Sequence, residues 1–242
     1  MVSLMHWGGK MKLKKIFLTV CVVLVVVVPL FSMFFRDGLI LDMAGIHLDH
    51  PFSKKVKVEE NYIRVDKNQN NVADPLDIVN AARKEVENRT RYKSAYYEGG
   101  YPPDNEGVCT DVIWRGLAGA GINLKELMDQ DIHDHTSLYP RVGGKPDPHI
   151  DYRRVPNQYV FFQRFAESLT TELIPYDSKN LAEWQPGDIV IYLEGTDHVG
   201  IISDKRSKDG IPYLIHNIPP FASEIKLTSY KHPIVGHYRW KY

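Results

Sequence analysis

The sequence predicts an α+β domain, because helical patterns come first along its 242 residues and strand patterns come last. Apolar residues recur at helical spacing after Asp74 and Cys109, whereas short apolar runs bounded by turn residues follow Pro186. The composition, 43% hydrophobic and 25% charged, is typical of a globular protein with a core. Thirty basic residues balance 30 acidic ones, so the charge gives no indication of a nucleic-acid partner.

The N-terminal region predicts a membrane anchor. Residues 16–35 carry no charge, and 20 helical residues span about 30 Å, the thickness of the hydrocarbon core of a bilayer. Four lysines lie within residues 1–15, which predicts a cytoplasmic N-terminus and an extracytoplasmic remainder. The alternative is a cleaved signal peptide, which would make the protein secreted.

Residues 36–60 lack periodicity and are expected to form a stalk, so the folded domain is expected over 61–242. Asp74 is expected to cap a first helix that has Pro75 at its first position and ends near Asn88.

A second helix is expected to begin at Cys109 and to stop at Gly121, followed by a short helix over 124–132 and one capped by Asn157. Strands are expected at 188–193, 198–203, 213–218 and 234–240.

The only two cysteines are Cys21, inside the apolar segment, and Cys109, so no intramolecular disulfide is expected. A free thiol outside the cytoplasm needs an explanation. At a helix N-terminus, backbone N–H groups favour the thiolate and can stabilise an oxyanion, so Cys109 is expected to have a lowered pKa and to be a nucleophile. The alternative is a small buried hydrophobic residue.

A thiol nucleophile needs a base. His198 begins an apolar strand, and His216 lies in the next one, where pairing of the two strands can bring both imidazoles to the same face. Asn217 and then Asp197 are further candidates for the group that orients the base.

Several motifs, in this order, resemble the papain-like NlpC-type bacterial cell-wall endopeptidases. They are Tyr97, Gly99-Gly100, Cys109, Ala120-Gly121-Ile122, Pro186-Gly187-Asp188, His198-Val199-Gly200-Ile201 and Ile215-His216. The resemblance implies a papain-like fold in which Cys109 is the nucleophile, His198 the base and His216 the orienting residue. It also implies that Tyr97 places a hydroxyl near the oxyanion.

The chain departs from that pattern at Val108 and Thr110, which replace the usual Asp and Ser, and in about 65 residues between the Cys109 helix and the Pro-Gly-Asp turn. That insertion, with GVCTDVIWRGL, YPRVGGKPDPHIDYRRVPN, WQPGDIV and IVGHYRW, resembles the bacterial family called domain of unknown function 1287. The resemblance covers roughly residues 60–242.

Oxygen-bearing residues before the first helix have the spacing of an EF-hand-like calcium loop. Positions 1, 3, 5, 7, 9 and 12 are Asp66, Asn68, Asn70, the carbonyl of Val72, Asp74 and Asp77. A structural Ca²⁺ is one reading, and an Asn/Asp turn that caps the helix is the other. No cofactor is expected for catalysis.

Arg153 and Arg154 lie in the insertion and could bind a substrate carboxylate; the alternative is a structural arginine that ties the insertion to the core. His133 and His135 lie near Asp131 and Asp134, but without HExxH or a cysteine pair they give little indication of zinc.

Together these features predict a cysteine peptidase or amidase that cleaves amide bonds, with peptidoglycan peptides as the leading substrate. Acyl transfer, a non-wall amide or ester substrate, and a non-catalytic wall- or protein-binding module on the same fold are the alternatives.

Overall fold

A computed structural model describes residues 5–27, 29–31, 39–49 and 52–242. Helix α1 (Met5–Val22) continues as a π-helical turn, Val23–Val27. The stretch Lys12–Phe31, with a mean hydropathy of 2.5, is long and apolar enough to cross a membrane, as a signal sequence also would be. Parts of the predicted segment 16–35 and of the predicted stalk, residues 28, 32–38, 50 and 51, lie outside the described residues.

The remaining helices belong to the folded domain. They are α2 (Leu39–Met43), α3 (Asp74–Glu87), α4 (Cys109–Gly119), α5 (Leu124–Asp134), α6 (Val155–Phe165) and α7 (Ser178–Leu181). The predicted helix at Cys109 is confirmed, and Gly121 follows its end with a φ of +75°.

Two predicted caps differ from the structure. Ala73 precedes α3, so Asp74 is inside the helix, where one carboxylate oxygen accepts the backbone N–H of Lys67 at 3.0 Å. Asn157 lies inside α6, and its buried side chain holds the insertion, accepting from the N–H of Arg141 and donating to the carbonyl of Asp151. Tertiary contacts thus use both side chains that were expected to cap helices locally.

The helices pack on one curled sheet of eight strands, so the α+β class is confirmed. The strands are β1 (Arg91–Tyr92), β2 (Glu106–Gly107), β3 (Glu167–Ser168), β4 (Ile189–Tyr192), β5 (His198–Arg206), β6 (Pro212–Ile218), β7 (Phe221–Lys226) and β8 (Gly236–Arg239). Their spatial order is β2-β1-β7-β6-β5-β4-β8-β3, antiparallel except for the parallel pair β1–β2.

The sheet has a core layer on each face. Along β4, Ile189 and Ile191 pack in the layer that contains Cys109 and the helices α3 to α6, whereas Val190 and Tyr192 pack in the opposite layer. This alternation follows from the two-residue period of a strand.

Residues 39–49, expected as part of a stalk, pack against the domain. Leu39 is buried in the layer opposite Cys109, and a carboxylate oxygen of Asp42 accepts the backbone N–H of Lys226 in β7. Farther along, the N–H of Val56 donates to the carbonyl of Lys208 at 2.7 Å. One buried leucine and one aspartate that accepts a backbone hydrogen bond form no periodic pattern, so the sequence does not predict this contact.

Candidate active site

Helix α4 presents Cys109 at its first turn. Val108 is extended just before the helix, and its N–H donates to the Asp111 carboxylate at 2.7 Å, which fixes the start of the helix. Gly116 allows α4 to pack closely on β5, because a Cβ there would lie 2.5 Å from the Ile201 side chain. The helix N-terminus is therefore held against the sheet.

The thiol of Cys109 is buried, and burial raises its pKa to about 12. The backbone N–H of Val199 opposes this rise, as do those of Thr110 and Cys109 itself, whereas the Asp111 carboxylate adds to it. The expected lowering of the pKa by the helix N-terminus is thus outweighed by desolvation. In this conformation the group is a neutral thiol at pH 7.

The predicted contact between His198 and His216 is confirmed. The Nε2 atom of His198 lies 2.8 Å from the Nδ1 atom of His216, and both side chains are buried. Burial lowers the pKa of His198 well below its usual value, with a further contribution from His216, and burial lowers the pKa of His216 to about 3. Both imidazoles are therefore neutral at pH 7.

The residue that follows His198 reaches the thiol. This residue, Val199, directs a backbone N–H at the sulfur of Cys109. Because Nε2 of His198 faces His216, Nδ1 is the ring nitrogen left for another partner.

Two tyrosines that the sequence did not single out border this group. The ring of Tyr230 packs 4.5 Å from that of His198 and 5.7 Å from that of His216, centroid to centroid. Burial, together with the charge that Cys109 would carry, raises the pKa of both Tyr92 and Tyr230. No local motif marks Tyr230, which reaches the site only because the chain turns after β7.

Tyr97 is held by other groups. Its hydroxyl donates to the Glu106 carboxylate at 2.8 Å, and its ring lies under the guanidinium of Arg153 at 5.0 Å. Burial and Glu106 raise the pKa of this hydroxyl to about 12. Tyr92, rather than Tyr97, lines the cleft at Cys109, and the oxyanion role of Tyr97 stays a prediction.

Arg153 ties the insertion to α4. Its buried guanidinium donates to both carboxylate oxygens of Asp111, at 2.7 and 2.8 Å, and to the carbonyl of Ala95 at 2.9 Å. The hydroxyl of Thr110 in turn donates to the Arg153 carbonyl. These contacts fit the structural alternative for Arg153.

A cleft of about 490 Å³ opens over Cys109 between the start of α4, the insertion with its helix α6, and the residues Tyr92 and Asp197. Arg154, paired with Asp151 at 3.2 Å, lines it beside Arg141. Arg141 reaches across to Asp197 at 3.1 Å, so Asp197 pairs with an arginine and not with His198. Arginine side chains therefore line the same cleft as Cys109.

The two other candidate sites lie elsewhere. Amides of Asn68 and Asn70 donate to the carboxylate of Asp77 at 2.9 Å, and Asp66 accepts the N–H groups of Asn70 and Asn71. His133 and His135 pair with Asp134 and Asp131. Within the described part of the chain, no three side chains of the Asp, Glu, His and Cys types form a metal-binding group, and calcium stays a prediction.

The same elements that build this site are matched by a family model. Residues 79–240, from α3 through β8, match the domain of unknown function DUF1287. The chain belongs to this family. A similar relative is the uncharacterized protein YijF of Escherichia coli strain K12, 36% identical over 173 residues, which cover 68% of this chain and 81% of the relative. In this DUF1287 protein, the matched region contains Cys109, both histidines and the whole insertion.

Proposed function

We propose that this DUF1287 protein is a cysteine hydrolase in which Cys109 is the nucleophile, His198 the base and His216 the residue that orients the base. The observation that carries the proposal is a bonded pair of buried imidazoles together with a thiol at a helix N-terminus, where Val199, the residue after His198, directs its backbone N–H at the sulfur. A nucleophile, a base and a group that orients the base are the three parts that acyl-transfer chemistry requires.

The charge states define the order of the proton movements. Since the thiol and His198 are both neutral, the sulfur loses its proton to Nδ1 of His198 as it attacks the carbonyl carbon. The amide N–H groups at the start of α4 can stabilise the oxyanion. His198 then protonates the leaving amine, and water deprotonated by the same nitrogen hydrolyses the thioester.

This route defines the tautomers of the pair. For Nδ1 of His198 to accept a proton, its Nε2 must carry the hydrogen and donate it to Nδ1 of His216. His216 is then protonated on Nε2, which is buried and has no hydrogen-bond partner among the described residues. A buried N–H without a partner lowers the stability of the fold by about 1–3 kcal/mol. Active sites commonly contain such unsatisfied polar groups.

We further propose a papain-like arrangement of the NlpC type and peptidoglycan stem peptides as substrate. The cleft guanidiniums of Arg141 and Arg154 suit the carboxylates of such peptides. An uncleaved Lys12–Phe31 helix with a cytoplasmic N-terminus would place the domain on the side of the cell wall.

The test uses purified peptidoglycan digested with the full-length protein, followed by mass spectrometry of the released fragments. The wild-type chain is expected to release peptides with one new amine and one new carboxylate, and Cys109→Ala is expected to release none. Circular dichroism of the variant provides the control for folding. Undiminished release by Cys109→Ala would refute the proposal.

A second candidate, a non-catalytic binding module, is favoured by the burial of the thiol and its raised pKa. In that case Cys109→Ala would retain binding to peptidoglycan, and the wild-type chain would release no fragments. Co-sedimentation with insoluble cell wall, measured beside the digestion, separates the two functions.

A further inference from the structure

Large apolar side chains are exposed where the chain leaves the N-terminal helix and joins the domain. We call Ile40, Ile46, Leu48 and Phe52 the juxtamembrane patch; Phe52 is 88% exposed and Leu48 47%. Single exposed apolar residues are common on soluble proteins. Four within so short a segment indicate a surface that meets an apolar or interfacial partner.

The patch is fixed to the domain. Asp42, within the segment, accepts the backbone N–H of Lys226 at 2.9 Å, and Asp49 accepts that of Lys208 at 2.7 Å. Exposed Tyr176 bonds to the hydroxyl of Ser53 at 3.3 Å and extends the patch with an aromatic ring. The exposed side chains therefore move with the domain.

Chain length keeps this patch near the bilayer if Lys12–Phe31 spans it. Eight Cα steps separate Phe31 from Leu39, and even a fully extended chain covers at most about 3.6 Å per step, or roughly 29 Å. The domain therefore has no long tether, and the first surface it can meet is the lipid headgroup layer.

The charges beside the patch suit that layer. Lys54, Lys55 and Lys57 follow Phe52 and are exposed, as is Lys208, which contacts the segment. Apolar and aromatic side chains flanked by lysines are the composition of interfacial membrane-binding surfaces, and each lysine near an anionic surface contributes about 1 kcal/mol.

We propose that the juxtamembrane patch binds the anionic phospholipid surface and sets the orientation of the domain. Leu39 packs on the face of the sheet opposite the layer that contains Cys109. With the patch on the bilayer, the cleft at the start of α4 faces away from the lipid. This inference rests on the proposed membrane anchor and is independent of the thiol chemistry.

The test is photocrosslinking of the full chain reconstituted in vesicles of anionic phospholipid. The photoreactive residue p-benzoylphenylalanine replaces Leu48 or Phe52 in the patch. Matched controls carry it at Leu138, which is also 47% exposed, or at Phe165, both on the helical side. Lipid adducts are expected at 48 and 52 in several-fold excess over 138 and 165.

Charge reversal tests the nature of the lipid. Lys54→Glu with Lys55→Glu is expected to lower the adducts by at least about fivefold for each lysine on anionic vesicles, and to leave them unchanged on zwitterionic ones. Equal adducts at all four positions, crosslinks at 48 to a second copy of the chain, or yields indifferent to lipid charge would each overturn the proposal.

Discussion

Two histidine environments in this protein reach opposite charge states. His198 and His216 are buried against each other and against aromatic rings, and burial lowers the pKa of both. His47 contacts Asp42 and Glu224, and these carboxylates raise its pKa to about 9. His198 and His216 are therefore neutral at pH 7, whereas His47 is a cation.

The difference shows what the surroundings select. A buried imidazole without a carboxylate is unprotonated at pH 7, which is the state in which a general base acts, and burial makes it a weaker base. His47, held by two carboxylates, is a fixed charge that fastens the N-terminal segment to β7, together with the Asp42 bond to Lys226. The same type of side chain is thus proposed as a base in one environment and holds two segments of the chain together in the other.

The largest expected effect is on the rate of peptide release, when the same His→Gln substitution is made in each of the two environments. His198→Gln removes the proton acceptor and is expected to lower the release of peptides from peptidoglycan about 10²- to 10⁴-fold. His47→Gln, the same change in the other environment, is expected to leave the rate within about twofold, since it is outside the site. Equal losses in both variants would contradict the assignment.

A smaller loss is expected at the orienting residue. His216→Ala is expected to lower kcat about 10- to 100-fold with little change in KM, because the base loses its partner but keeps its nitrogen. His216→Asn should recover part of the loss, since an amide can accept the same bond. A steady-state analysis of both variants tests this, and a rise in KM alone would indicate substrate binding instead.

The contact between His198 and His216 can be predicted from the sequence alone. Position at a strand start, the two-residue period and the antiparallel pairing of β5 with β6 were enough to bring His198 and His216 together. The sequence does not predict the position of Tyr230, because that position depends on a turn after β7. The strand β7 was itself not predicted.

The charge state of Cys109 was not accessible from the sequence either. The helix N-terminus is a local feature and was predicted, but the desolvation that raises the pKa of Cys109 comes from elements distant along the chain. Arg153 likewise reveals its pairing with Asp111 only when the insertion packs on α4. Local sequence patterns predict helices and strands, whereas the charge of a side chain such as Cys109 depends on its burial in the folded domain.

The two histidine environments change the free energy of unfolding on opposite sides of pH 6.5. His47 has a raised pKa in the folded state, so its stabilisation is complete below 6.5 and is lost as the pH rises through about 9. His216 has a lowered pKa, so its contribution is complete above 6.5 and is lost as the pH falls towards 3.

Thermal unfolding between pH 6 and pH 9 checks the sign for His47. We expect His47→Gln to cost about 1–2 kcal/mol at pH 6, after allowance for solvent screening, and progressively less towards pH 9. A difference between wild type and variant that grows from pH 6 to pH 9 would contradict the role of His47.

A conditional effect on stability concerns the loop at residues 66–77. If it binds calcium, a concentration roughly ten to a hundred times the Kd stabilises the fold by about 1–3 kcal/mol relative to chelated protein. Asp66→Asn with Asp77→Asn is expected to abolish this increase. An unfolding midpoint that is identical with calcium and with chelator would favour the Asn/Asp turn.

The most direct test of the central claim measures alkylation of Cys109 and needs no substrate. In a Cys21→Ser background, iodoacetamide labels only Cys109, and its rate near neutral pH reports deprotonation of the thiol. If His198 accepts that proton, His198→Gln lowers the rate by at least about tenfold, whereas His47→Gln leaves it unchanged. Equal rates in wild type and His198→Gln would contradict the account.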